Sequence, residues 1–202
     1  MLFRTPRSSQ LSHDRYIAFC GAPAHLMGIG YNKLDIDLMY VKTYDELVEK
    51  VAEAASKAEP GEWITGRGWH QDKWIEMPDQ TVNGFQTHDE LSAVTPENPV
   101  YLAHASGHAS FVNKKAMELA GITPLGSENL KQEVEGGEVI RDEIGNPTGV
   151  LVERASGLVS KLIPKDTPER AEKALELALK ELAEKGITSF HDAGGNQDLI
   201  DL

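Results

Sequence analysis

Cys20 is the only cysteine in 202 residues. No disulfide can form within the chain and no cysteine-based zinc cluster can be assembled, and a single thiol fits a reducing cytoplasm. Basic residues are scarce as well: 20 Lys and Arg stand against 32 Asp and Glu, a formal net charge of −12. An acidic surface repels phosphate, which argues against nucleic acid and anionic membranes as partners. No apolar run approaches the roughly 20 residues that span a bilayer. The opening MLFRTPRSSQLSHDRY is basic but lacks the apolar stretch of a secretory signal. Aromatics make up only 6% of the chain, yet all three tryptophans fall between residues 63 and 74.

What remains is the make-up of a globular protein, 40% apolar and 26% charged. The length suits one sizeable core or two small lobes. Residues 1–22 show little periodicity. From Thr43 the pattern sharpens: Thr43 and Glu46 have the spacing of a capping box, and Leu47, Val48, Val51, Ala54, Ala55 and Ala58 follow at helical intervals until Pro60-Gly61. Residues 62–112 read as short strands and loops, with Pro99–Ala103 a strand and Ser106-Gly107 a turn. Asn113 is placed to cap the short helix KKAMELA, which Gly121 stops. Residues 122–137 read as loop. Glu138–Arg141 and Thr148–Glu153 then alternate about the turn E-I-G-N-P, the pattern of a hairpin.

The C-terminal third is the most regular. Thr167 caps a helix with Pro168 in its first turn, and Ala171, Ala174, Leu175, Ala178, Leu179 and Leu182 form its apolar stripe up to Gly186. Ile187–His191 follows as a strand. Together with Gly149–Glu153 this predicts a strand–helix–strand crossover, the unit of a parallel α/β sheet.

The stretch from Trp63 to Asn113 gathers His70, His88, His104 and His108 among glycine turns. A core needs Leu, Ile and Val rather than this mix, so the segment is the best candidate for a site. Its phrases WITGRGWHQDKW, L-x-x-V-x-P-x-N-P-V-Y-L and HASGH-x-x-x-VN-x-x-A are preceded by AHLMGIGYNKLDIDL and followed by GGEVIRDEIGNPTGVLVE and GITSFHDAG. In that order they resemble amidohydrolase family 3, a branch of the metal-dependent hydrolases that includes N-substituted formamide deformylases. The resemblance covers nearly everything from about residue 24 onward.

The resemblance implies an α/β fold: a partial (β/α)8 TIM barrel of about three parallel strands, with an inserted α+β subdomain. The implied division is an N-terminal segment, 1–23, that does not match the family; a first barrel unit, 24–59; the insert, 60–147; and further barrel strands and helix, 148–202. Family members continue with more barrel strands beyond the last residue here, so a truncated barrel is expected. Its exposed edges would favour a homo-oligomer.

In the family the first barrel strand ends in His-x-His, a period of two that turns both imidazoles toward one cation. Here those residues are Pro23-Ala24-His25. The implied cofactor is a divalent metal, zinc first, with His25 a ligand and Pro23 unable to serve. Glu153, which ends GVLVE, stands near the position from which relatives supply a carboxylate or carboxylated lysine; Val152 is the alternative counterpart. The competing readings are a helix-capping or surface role for His25 and a salt bridge from Glu153 to Arg154 or Arg141.

His108 is implied to line the substrate pocket, where a neutral imidazole can hydrogen-bond a substrate carbonyl. Otherwise His104 and His108 tie down their loop. Trp69, His70 and Trp74 either wall the pocket or pack the insert onto the barrel. Asp192, beside His191 at a strand end, is a catalytic candidate together with His108, or a helix cap. The substrate-binding candidates are Trp69, His70, His104 and His108. His13 and His88 are expected at the surface.

Two functions are open. One is a metal-dependent hydrolase in which metal-bound hydroxide attacks the amide, or another non-peptide C–N bond, of a small molecule. The other is a catalytically inactive partial barrel that acts only as a fragment or self-associating module.

Overall fold

The computed structural model describes residues 25–124, 134–189 and 191–192. In chain order the elements are α1 (Leu26–Leu34), β1 (Ile36–Asp37), α2 (Tyr44–Ala55), β2 (Ile64–Trp69), β3 (Thr81–Val82), β4 (Phe85–Gln86), α3 (Asp89–Val94), β5 (Val100–His104), β6 (Ala109–Val112), α4 (Lys114–Leu119), β7 (Gly137–Arg141), β8 (Pro147–Glu153), α5 (Gly157–Ser160) and α6 (Pro168–Glu184). The chain divides into two compact units: Asp35–Lys165, and the segments that flank it, up to Leu34 and from Asp166 on. No helix among the described residues is long and apolar enough to cross a membrane.

The larger unit is built on a mixed sheet of order β1-β2-β5-β6-β8-β7. Strands β1, β2 and β5 run parallel; β6, β8 and β7 continue the sheet antiparallel. Helix α2 starts where its capping signal predicts, with the Glu46 N–H donating to Thr43 Oγ1 at 3.1 Å. The Glu46 carboxylate reaches back one residue further than a standard box and accepts from the Lys42 N–H at 2.8 Å. Leu47 and Val51 have no exposed surface. Each such side chain contributes about 1.5–3 kcal/mol through burial. They join Ile64, Trp69, Val100, Leu102, Phe111 and Val150 in one core.

The predicted hairpin at 138–153 forms, with Val139 opposite Leu151 and Arg141 opposite Pro147. Its turn is closed by Asp142, whose carboxylate accepts from the N–H groups of Ile144 and Asn146 at 3.0 and 2.8 Å. The expected crossover from Gly149–Glu153 to Ile187–His191 does not form. Both edges of β8 are occupied by antiparallel neighbours, β6 and β7, so no parallel strand can pair with it. Ile187 and Thr188 carry no regular structure, Ser189 and Asp192 make single bridges, and Phe190 lies outside the described residues.

In the flanking unit, α1 packs on α6. Leu26, Ala178 and Leu182 form its small core, with Ile29, Leu175 and Ile187 against it. The predicted stripe on α6 is narrower than its sequence suggests: Ala174, Ala178 and Leu182 are buried, whereas Leu179 is 42% exposed. Lys33 on α1 meets Glu181 on α6 at 2.5 Å. Hydrogen bonds from Lys185 and then Lys33 pull the Glu181 carboxyl down to about 2.

The two helix backbones touch at Gly30, where a Cβ would lie 1.9 Å from the Ala174 carbonyl oxygen. Backbone cannot yield as a flexible side chain can, so Gly30→Ala must push α1 off α6. Thermal denaturation followed by circular dichroism is expected to show a loss of about 2–3 kcal/mol; a melt indistinguishable from the parent would mean that the helices do not cross there.

Candidate functional site

The histidine-rich segment lies at the carboxyl ends of two neighbouring parallel strands, β2 and β5. A bulge there decides which way Trp69 faces. Gly66 pairs with Leu102 and Arg67 with Ala103, but the next partner of His104 is Trp69, not Gly68. Gly68 is the extra residue, at φ +108, and it fits only because it has no side chain: a Cβ would sit 2.8 Å from the Met39 backbone nitrogen. The bulge moves Trp69 onto the face of Ile64 and Leu102. Its indole N–H donates to the Leu102 carbonyl at 2.9 Å, and it has no exposed surface. Trp69 is therefore a packing residue, not the pocket wall named as one option. Trp74 is likewise buried, against Tyr44.

His104 packs edge-to-face on Trp69, with ring centroids 4.5 Å apart, and lies 4.5 Å from the His70 ring. Its surroundings fix its tautomer. The Ser106 N–H donates to His104 Nδ1 at 3.2 Å, and Ser106 Oγ lies 2.8 Å from the same atom. An Nδ1 that accepts from an amide carries no proton, so Nε2 carries it. That Nε2 is buried and has no partner among the described residues. Burial, followed by the nearby His70, holds the His104 imidazole below its ordinary range, so it stays neutral. His70 has the same polarity: its Nδ1 accepts from the Asp72 N–H at 3.3 Å as the cap of a short turn, Gln71–Lys73.

Ser106 continues the chain of contacts by accepting from the His108 N–H at 3.1 Å. His108 faces outward, and its Nδ1 lies 3.1 Å from a carboxylate oxygen of Glu153. The partner of Glu153 is thus His108, rather than Arg154 or Arg141. The Glu153 N–H also donates to the His108 carbonyl at 2.7 Å. His70, His104, His108 and Glu153 form one connected group in the larger unit.

His25 and Asp192 belong to the flanking unit. His25 is exposed and precedes α1, and its carbonyl accepts from the Ile29 N–H at 3.1 Å. The Asp192 carboxylate accepts from the Leu26 N–H at 3.1 Å. It therefore caps α1, the helix that begins beside His25, not a helix that follows it. The grouping differs from the sequence expectation: His108 is found with Glu153, and His25 with Asp192.

Two further motif residues prove structural. Asn113 does more than cap α4: its Oδ1 accepts from the N–H groups of Val100 and Ala116, and its Nδ2 donates to Thr95 and Asn98. The Asn98 side chain ties the same loop to the carbonyls of Glu59 and Glu62 at 2.7 and 2.9 Å. His88 is half-buried rather than on the surface, and burial holds its imidazole below the ordinary range. Its Nδ1 meets Ser92 Oγ at 2.9 Å, while Ser92 accepts from the Lys114 N–H. Sequence reading missed this contact because it joins helices α3 and α4, which carry no shared local signal.

Residues 19–201 match the amidohydrolase family, and the chain belongs to that family. It is similar to a putative amidohydrolase, YtcJ, of Bacillus subtilis, 29% identical over 192 residues that cover 94% of this chain and 34% of that protein. It is also similar to the N-substituted formamide deformylase of Arthrobacter pascens, 32% identical over 184 residues, 87% of this chain and 31% of that one. An uncharacterized metal-dependent hydrolase from Pyrococcus horikoshii OT3 superposes with a TM-score of 0.58 at 25% identity, over 91% of this chain and 32% of that structure. The chain spans about a third of the length of the curated relatives it matches.

The family implies a divalent metal. Among the described residues, however, no group of three or more His, Cys, Asp or Glu side chains is arranged to hold one. His25 and Asp192 offer two donors at one end of α1, fewer than the three protein ligands of a catalytic zinc. The described residues alone do not compose that site.

Proposed function

We propose that this chain functions as a metal-dependent hydrolase acting on the amide, or another non-peptide C–N bond, of a small neutral molecule. Membership of the amidohydrolase family supports the reaction class. The observation that carries the substrate class is the connected group His70–His104–His108 at the carboxyl ends of β2 and β5. His104, kept neutral by its burial, presents there an Nε2 unpartnered among the described residues, and a neutral imidazole suits an uncharged polar group better than a phosphate or carboxylate. His25 remains the proposed metal ligand from this chain, with Asp192 beside it.

In this reading α1 and α6 are barrel helices. The insert would then be the whole larger unit, Asp35–Lys165, a wider span than the 60–147 that the motifs imply. The formamide deformylase among the relatives makes N-substituted formamides the first substrates to try.

The test is a panel of bonds offered to the purified protein with added divalent metal: N-substituted formamides, simple anilides, carboxylic esters and phosphate monoesters. Release of formate or carboxylate together with free amine is expected. Preferential cleavage of the phosphate ester, or no cleavage of any C–N bond, would refute the assignment.

A further inference from the structure

The end of β8 is strained where it meets His108. Glu153 sits at φ +52 and ψ −127, a conformation that residues with side chains rarely adopt and that persists only where its surroundings enforce it. Both the backbone and the side chain of Glu153 are engaged by one residue. Its N–H donates to the His108 carbonyl at 2.7 Å, and its carboxylate oxygen lies 3.1 Å from His108 Nδ1. The strand pairing places Ala109 opposite Val152, which brings the two residues to the same end of β6 and β8.

The chemistry of that contact has one sense. A carboxylate only accepts, so the proton in the hydrogen bond belongs to Nδ1; in a neutral imidazole the other nitrogen is then bare. His70 and His104 have the reverse polarity, each accepting at Nδ1 from a backbone N–H. His108 is the exception, and its side chain is 71% exposed.

We propose that Glu153 is a positioning residue that holds His108 as its Nδ1–H tautomer, so that Nε2 offers a lone pair as hydrogen-bond acceptor to the N–H of an amide-type substrate. This rests on the amidohydrolase reading for the identity of the substrate. It reverses the role expected for His108, since a bare Nε2 cannot donate to a carbonyl.

Long-range proton–nitrogen correlation spectra of the histidine-labelled protein, recorded near pH 8 and so above the ordinary imidazole range of about 6.5, read the tautomer directly. The His108 signals are identified by their loss in His108→Gln. The parent should show His108 protonated at Nδ1. Glu153→Gly suits the positive φ and removes only the carboxylate; it and Glu153→Ala should both shift His108 to the Nε2–H form, with His70 and His104 unchanged. A parent His108 protonated at Nε2, or an Nδ1–H form that survives in Glu153→Gly, overturns the proposal. The readout needs no turnover, so absence of amide hydrolysis would count against the functional reading alone.

Discussion

Asn113→Ala is expected to cost about 3–4 kcal/mol, among the largest effects of any single substitution in the larger unit. Asn113 is fully buried. Removing its amide leaves the Val100 and Ala116 N–H groups without their acceptor, at 3.0 Å each in the parent, and frees the Thr95 and Asn98 carbonyls, at 3.1 and 2.8 Å. Loss of the α4 cap alone accounts for about 1 kcal/mol, and each buried group left unpaired adds about 1 kcal/mol or more. Urea denaturation measures the difference. Asn113→Asp separates hydrogen bonding from shape: it keeps the acceptor but turns a carboxylate toward two carbonyl oxygens. Its folded-state pKa must rise, so the variant should be most stable below about pH 4 and weaken as pH increases. A change under about 1 kcal/mol in Asn113→Ala would show that the network is not needed to hold β5 against α4.

Gly149→Ala should be as damaging, at about 3–5 kcal/mol, for a different reason. Gly149 lies inside β8 at φ +92, and a Cβ there would stand 2.5 Å from the Val112 carbonyl oxygen and 2.7 Å from His88 Cβ. Both the conformation and the space require glycine. Gly121 is the control: at φ +68 it has nothing within 4 Å of a Cβ, so Gly121→Asn should cost about 1 kcal/mol or less. Melting curves of the two variants test the contrast. Equal losses would mean that the crowding around Gly149 relaxes freely.

Local signals were legible in the sequence, and long-range pairing was not. The caps Thr43, Asn113 and Thr167, the stop at Gly121 and the hairpin turn at Asp142 all depend on residues within a few positions of one another, and all are where the pattern puts them. The sequence does not show the partners of β8, because one of its edges is taken by β6, a four-residue strand far away in the chain. Trp69 was ambiguous because Gly68 shifts the register by one and reverses its face, a consequence of packing against Met39 that no spacing rule predicts. The histidine segment was recognised as a site candidate from composition. Its internal order was hidden: Ser106 sets the tautomer of His104, and Glu153 reaches His108 only through the β6–β8 pairing.

The proposed role of a divalent metal in C–N bond hydrolysis is tested most directly by one titration. The purified chain is stripped with a chelator, zinc or manganese is returned in increments, and amine release from an N-substituted formamide is followed together with bound metal. Turnover should vanish on stripping, rise in proportion to bound metal and level off at a fixed stoichiometry. Turnover indifferent to metal, or none at full metal occupancy, would contradict it.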